Sequence, residues 1–333
     1  MKLKKRFVFT VLLLATSTIS MSALAQGNRW LQLIWENDII AQDDAGYTNG
    51  VAISWGRNGL ASFDGQLPNW LNELIDDTEF ARDPNRRRAM GYVLAQQMFT
   101  PGDIQARELI DTDRPYVGLT LWGASLYSFA ERSADHWELV LGVVGPWSGA
   151  KQGQKLVHRM TGSQQPRGWD NQIHNEPVFA VRGQRLWRIH DGVVNGLQWD
   201  LVGSLGAAVG NLRSETGGLL VARLGSGLAN TWAAVSSISS REVNSLGGPG
   251  LTGWQLYWSL AAGYVANDIT LNGNTFRDSH SVGIEHWRAG TSVGVLQNWG
   301  PIGLSFSYQL ATDEFDTQTV NTRFGTLAFT YRY

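Results

Sequence analysis

The chain has 333 residues, a formal net charge of −2, no cysteine, 15 tryptophans and 38 glycines. A mildly acidic balance argues against nucleic acid as a partner. An exported domain of this size without disulfides has to be held by its own core or by a membrane.

Residues 1–25 read as a signal peptide. Lys2, Lys4, Lys5 and Arg6 form a positive start, Phe7 to Ala15 a short apolar core, and Ala23-Leu24-Ala25 an A-x-A cleavage site. The mature chain, 26–333, is then expected to begin at Gln26 and to carry a net charge near −6. No other stretch approaches about 18 consecutive apolar residues, so no transmembrane helix is expected. Export, abundant glycine and aromatic residues, and two-residue alternation point instead to an all-β fold. The expectation is a transmembrane antiparallel β-barrel in the bacterial outer membrane; a periplasmic sandwich is the alternative.

Alternating runs predict about twelve strands, at 28–38, 46–56, 88–99, 115–129, 136–146, 177–188, 197–211, 215–227, 253–268, 281–297, 300–312 and 321–333. The last is the clearest: Leu327, Phe329, Tyr331 and Tyr333 alternate with Thr326, Ala328, Thr330 and Arg332. Trp137, Leu139, Leu141 and Val143 form a second outward set. An even count puts both termini on the periplasmic side and every connection after an odd-numbered strand outside the cell. Two periplasmic connections, 57–87 and 228–252, are longer than that rule favours. Within the first, Leu67 to Ala81 has helical spacing. Among the outer connections, 148–162 lacks alternation and reads as a short helix, with Ser148 as its N-cap and Gly162 as its C-cap.

Three polar clusters fall at the outer rim by this count. The first is Glu36-Asn37-Asp38 with Asp43, Asp44, Thr48 and Asn49. Its oxygen-rich composition suits a hard cation, and a solvated loop with an Asx-turn is the alternative. By alternation, Glu36 and Asp38 share a face, Asn37 falls with the lipid-facing set, and Val51, Ile53 and Trp55 continue the face of Tyr47. The second cluster is Asp113-Arg114-Pro115-Tyr116, where Arg114 could meet a phosphate or could form a structural pair with an aspartate. The third runs from Gln154 to Glu176. Gln154 and His158 are four residues apart and share a helix face. His158 is a candidate general base, with Gln154 orienting it or a water; a plain surface histidine is the alternative. A histidine base plus a divalent cation suffices for ester hydrolysis. The G-x-S-x-G match at Gly290–Gly294 lies inside a strand and lacks the strand–turn–helix setting of a nucleophile elbow.

The residues Asn37-Asp38, Tyr47-Thr48-x-Gly50, Asp113-Arg114-Pro115-Tyr116, Gly145-Pro146, Gln154-x-x-x-His158-Arg159, Gly162 and Trp169-x-x-Gln172-x-x-Asn175 resemble the outer-membrane lipid A 3′-O-deacylases of the LpxR type. The resemblance covers nearly the whole mature chain. It implies a twelve-stranded barrel and calcium-dependent hydrolysis of the 3′ acyloxyacyl ester of lipid A in the outer leaflet. It further implies His158, Asn37, Asp38, Thr48 and Gln154 as catalytic residues, with Asn37 and Asp38 as Ca2+ ligands; Arg114, by its charge, and Trp169, by its place at the same rim, are expected as substrate contacts. The implied partners are lipopolysaccharide and outer-membrane lipids, with a monomeric chain. Two positions depart from the family pattern. Gln164 stands where a glutamate follows the histidine by six residues, and Arg107 is the nearest cation to a lysine expected after the third strand. The rival readings are an outer-membrane phospholipase-type esterase and a non-catalytic lipopolysaccharide-binding or pore barrel.

Overall fold

The computed structural model describes residues 28–37, 46–232, 251–319 and 321–333. The expected signal peptide and the acidic residues Asp38, Asp43 and Asp44 lie outside the described residues.

The twelve strands close into one antiparallel barrel in which every strand pairs with its chain neighbours and β1 pairs with β12. They are β1 (Arg29–Asn37), β2 (Gly46–Leu60), β3 (Arg87–Thr100), β4 (Val117–Phe129), β5 (Ser133–Val144), β6 (Glu176–Val194), β7 (Leu197–Val209), β8 (Arg213–Gly225), β9 (Thr252–Asp268), β10 (Trp287–Trp299), β11 (Ile302–Ala311) and β12 (Arg323–Arg332). Each matches an expected strand, with bounds moved by a few residues at most ends. β6 extends to 19 residues and β10 starts six residues late. Strands of this length cross a bilayer when tilted. No helix among the described residues is long and apolar enough to do so.

Alternation explains the fold. On β12, Thr326, Ala328, Thr330 and Arg332 are buried in the lumen while Phe329 is 42% exposed to the outside. Leu33 and Trp35, Val51 and Ile53, Leu94 and Trp122, and Trp137 and Leu139 carry the outward apolar belt around β1 to β5. In water such a belt would be a large exposed patch; in lipid it is the natural surface. Trp30 turns inward and lies across β2 and β3. A Cβ on Gly56 would come within 2.6 Å of its ring, and one on Gly91 within 2.9 Å, so the two glycines make its room.

Gln32, Ser259, Ser292, Gln309 and Thr330 face the lumen and are all 8% exposed or less. The outer end is packed by an apolar cluster including Phe99, Val117, Leu119, Ile173, Ile269 and Phe324. Beside it runs a chain of ion pairs: Arg114 to Glu314 (3.1 Å), Arg288 to Glu314 (3.5 Å), Arg288 to Asp268 (3.5 Å) and Arg213 to Asp268 (3.2 Å). At the periplasmic end Arg188 and Arg223 both bond Asp200 and the carbonyl of Thr231. Trp232 packs under the Arg188 guanidinium, 4.8 Å away, and against Phe129, Leu186 and Val202.

The expected helix at 67–81 is two short pieces, α1 (Asn69–Ile75) and α2 (Glu79–Arg82). The break coincides with Asp76 and Asp77. Thr78 caps the second piece in an extended conformation. Asp76 pairs with Arg82, and that hydrogen bond holds its carboxyl below the usual range. The expected outer helix is present as α3 (Ala150–Thr161), preceded by a 3₁₀ turn at Pro146–Ser148. Gly149, not Ser148, is its N-cap, with φ of 70°. Ser148 is held in the preceding turn by its hydroxyl, which donates to the Gly145 carbonyl. A fourth helical turn, α4 (Ile269–Asn272), folds inward with Ile269, Thr270 and Leu271 buried.

Candidate active site

Leu94 and Trp122 face each other on β3 and β4 and point outward. Gln96 and Thr120, then Met98 and Gly118, follow at two-residue steps toward the outer rim and share that outward face. α3 rests on these residues. A Cβ on Gly118 would sit 2.2 Å from Ser148 Oγ and 2.4 Å from Ala150 Cβ. One on Gly153 would sit 3.0 Å from Gln96 Oε1 and 3.2 Å from Met98 Cε. The Ser148 carbonyl accepts from Gln96 Nε2 (2.6 Å) and from Thr120 Oγ1 (2.9 Å). The helix therefore lies outside the barrel, on the lipid-facing wall at its extracellular end.

Its course follows from the same contacts. Ala150 stands over β4 and Gly153 over β3. Three helical residues advance about 4.5 Å, and neighbouring strands are about 4.8 Å apart. The following turns head toward β2 and β1. There the outward row continues from Met98 to Asn49 and Asn37, which pair across the β1–β2 hairpin. Asn37 has outward parity, as the alternation predicts, yet is only 3% exposed. Asn49 Oδ1 is buried and accepts no hydrogen bond. Glu36 faces the lumen beside Thr326 and is separated from this row by the wall.

Thr48 occupies a bulge. Tyr47 pairs with Phe99 and Asn49 with the next residue, Met98, so Thr48 is an extra residue in β2. Bulges near active sites re-aim side chains and break alternation. The regular alternation expected from Tyr47 through Val51, Ile53 and Trp55 is thus interrupted in the backbone register between Tyr47 and Asn49.

On α3, Ala150, Gln154 and His158 form one stripe. Ala150 is 1% and Gln154 2% exposed. Gln154 Oε1 accepts from Trp169 Nε1 at 2.6 Å, while its Nε2 is buried with no partner. His158 Nδ1 bonds the Gln164 carbonyl. A carbonyl can only accept, so Nδ1 carries the proton and Nε2 the lone pair. The His158 carbonyl accepts from Gly162 N and Ser163 N, which fixes the last turn of the helix; Gly162 takes the left-handed conformation (φ 72°) and is the expected C-cap. His158 is thus oriented by the backbone of Gln164, a contact independent of that residue's side chain.

The two expected substrate contacts are placed elsewhere. Trp169 is 1% exposed and packs against Tyr116 (centroids 5.1 Å), Met98 and Ala150. Arg114 is 2% exposed, paired with Glu314 and stacked over Phe99 at 4.9 Å. Neither offers a surface to a lipid. Both hold the loops: Trp169 seats α3, and Arg114 belongs to the ion-pair chain at the outer mouth. Burial pushes the Tyr116 phenol up to about 12, so it stays protonated and donates to the Ile104 carbonyl (3.2 Å). Ser292 of the G-x-S-x-G match is buried in the lumen, hydrogen-bonded to Ser259, and has a structural place. Asn49 belongs to the oxygen-rich cluster read from the sequence; its outward position beside Asn37 and Met98 becomes legible only once the register is known.

A model of the family described as outer membrane protein LpxR matches residues 7–333. The chain belongs to the LpxR family. This is a family of outer-membrane lipid A deacylases, and the protein is a bacterial outer-membrane protein. Among solved structures, LpxR from Salmonella typhimurium superposes with a TM-score of 0.76 at 18% identity, covering 91% of this chain and 100% of that one. At this identity the likeness shows the shared barrel. The beta domain of the Bordetella autotransporter BrkA is more distant, with a TM-score of 0.46 at 13% identity, covering 93% of this chain and all of that one. No curated protein matches by sequence.

Proposed function

We propose that the protein hydrolyses the 3′ acyloxyacyl ester of lipid A in the outer leaflet, with calcium as cofactor. The observation that carries this reading is the position of His158. It stands on a helix fixed to the lipid-facing wall at the outer end of the barrel, where an outer-leaflet ester can reach it without entering the lumen.

His158 Nε2 is the base that takes a proton from water, while the Gln164 carbonyl holds the ring through Nδ1. Gln154 Nε2 is a buried donor without a partner, and leaving it so costs about 1–3 kcal/mol unless a ligand accepts from it. Its place one turn before His158 suits a donor to the water or to the developing oxyanion. Asn37 and Asn49 supply amide oxygens on the adjoining row, and the unpartnered Asn49 Oδ1 fits a hard cation. The resemblance supplies Asp38, next to Asn37 in sequence, as the anionic donor of such a site. Calcium bound there would add positive charge to the ester carbonyl as it becomes an oxyanion. Thr48, which the resemblance names as catalytic, is the residue at the bulge.

Mass spectrometry of lipid A from cells expressing the protein should show loss of the 3′ acyloxyacyl group. A spectrum identical to that of the empty vector sinks the substrate assignment, and release of fatty acid from phospholipid instead favours the phospholipase reading. Adding a calcium chelator to the purified barrel should stop hydrolysis, and calcium should restore it. Full activity in the chelator would remove the metal from the scheme.

Gly118→Val should separate the helix from the barrel. Its side chain would occupy the place of Ser148 and Ala150, while the strand itself tolerates valine. A shift of α3 by about 1 Å should lower the deacylation rate about a hundredfold. The barrel should remain heat-modifiable on gels; unchanged activity would mean that α3 need not be seated there.

A further inference from the structure

The same helix carries a second pattern that catalysis does not use. Leu156 and Met160, four residues apart, are 53% and 63% exposed, and Trp147 just before the helix is 70% exposed. At 100° per residue Leu156 and Met160 share a flank with Gly153, and Gly153 rests on Gln96 and Met98, Gln96 being one step deeper toward the membrane. Lys151, Lys155 and Arg159 lie at four-residue steps on the opposite flank. Lys151 is paired there with Asp170 of the loop that follows α3 (2.5 Å), and this bond lowers the Asp170 carboxyl below its usual range. The apolar flank is therefore the one on the side of Gln96, the outward residue between Met98 and Leu94 of the lipid belt, and the basic flank lies on the other side of the helix.

We propose that α3 is an interfacial helix seated in the outer leaflet. Leu156, Met160 and Trp147 extend the belt into the acyl layer, and Lys155 and Arg159 bind the phosphates of an anionic glycolipid. Apolar residues on one flank and cations on the other are the pattern of helices that lie in a membrane surface. Continuity with the belt selects lipid as the occupant over a second copy of the chain. This rests on the reading that the site takes lipid A and adds to it the groups that hold the substrate before hydrolysis.

The absence of native cysteine makes a direct test possible. Single variants Met160→Cys and Gln152→Cys are labelled with a bimane fluorophore and reconstituted into phosphatidylcholine vesicles containing nitroxide-labelled lipid. Strong quenching at 160 and weak quenching at 152 is expected. Equal weak quenching at both positions overturns the seating, as does protection at 160 that appears only as protein concentration rises, which would indicate a second copy. For the phosphates, the double variant Lys155→Ala/Arg159→Ala in detergent micelles should bind bisphosphorylated lipid A about tenfold more weakly than the wild type. Its binding of dephosphorylated lipid A should match the wild type. Equal binding of wild type and variant to the phosphorylated form overturns the phosphate assignment. Neither readout needs turnover, so a failure of hydrolysis would count against the proposed function alone.

Discussion

Replacing His158 with alanine is expected to reduce lipid A deacylation by a factor of 10² to 10⁴, the usual contribution of a positioned general base. The fold should be unaffected. The side chain is only partly buried on the outer surface of the wall, and its carbonyl, which caps α3, is kept in the variant. The measurement is lipid A mass spectrometry beside a heat-modifiability gel. Loss of activity with an intact gel shift supports the assignment, whereas activity within twofold of wild type would assign the base elsewhere. His158→Asn sharpens the comparison. Asparagine can still donate to the Gln164 carbonyl but offers no basic nitrogen, so it should be as inactive as alanine. Gln164→Ala should be far milder, because the orienting contact uses its backbone oxygen.

The second large effect is expected inside the barrel. Asp200→Ala should destabilise the protein by about 3–5 kcal/mol, because it leaves two buried guanidinium groups without their shared carboxylate. Asp200, Arg188 and Arg223 are 2%, 7% and 3% exposed, and Arg223 Nε and Arg188 Nε donate to Asp200 at 2.8 and 3.2 Å. The two arginines also hold the Thr231 carbonyl, so the segment leading to Trp232 should loosen with them. The midpoint of heat modification in detergent reads the stability, and proteolysis after residue 228 reads the loosening. Asp191→Ala is the control. Its pair with Arg132 is 45% and 62% exposed, and such a pair contributes about 0–1 kcal/mol. Equal midpoints for the Asp200 and Asp191 variants would show that the buried cluster does not bind the periplasmic end together.

These two experiments probe opposite faces of one wall. Sequence alternation predicts that such faces exist, since a period of two makes the environment of a residue follow from its parity alone. Hence all twelve strands, the outward set on β12 and the outer-rim position of the clusters around Asn37, Arg114 and His158 were legible from residue order. The spacing of Gln154 and His158 also carried over, because helix geometry is local. The termination at Gly162 was legible for the same reason.

What residue order left open depends on contacts between distant segments. Ser148 looks like an N-cap, but the left-handed backbone of Gly149 takes that place while the Ser148 carbonyl is held by Gln96 and Thr120 of two strands. The bulge at Thr48 shifts alternation by one residue, and no local signal in Tyr47-Thr48-Asn49-Gly50 announces it. Arg114 and Trp169 have the chemistry of ligand contacts, yet Glu314, 200 positions away, and Tyr116, 53 positions away, bury them. Most of all, alternation places α3 at the outer end without saying which side of the wall it covers. That was decided by Gly118 and Gly153, whose missing side chains let a helix lie against the lipid-facing surface. By itself the sequence determined a twelve-stranded outer-membrane barrel with a histidine helix at its rim, because strand parity and helix period are local properties. Only the tertiary structure put that helix on the lipid side, because close packing between segments far apart in the chain is a property of the folded whole.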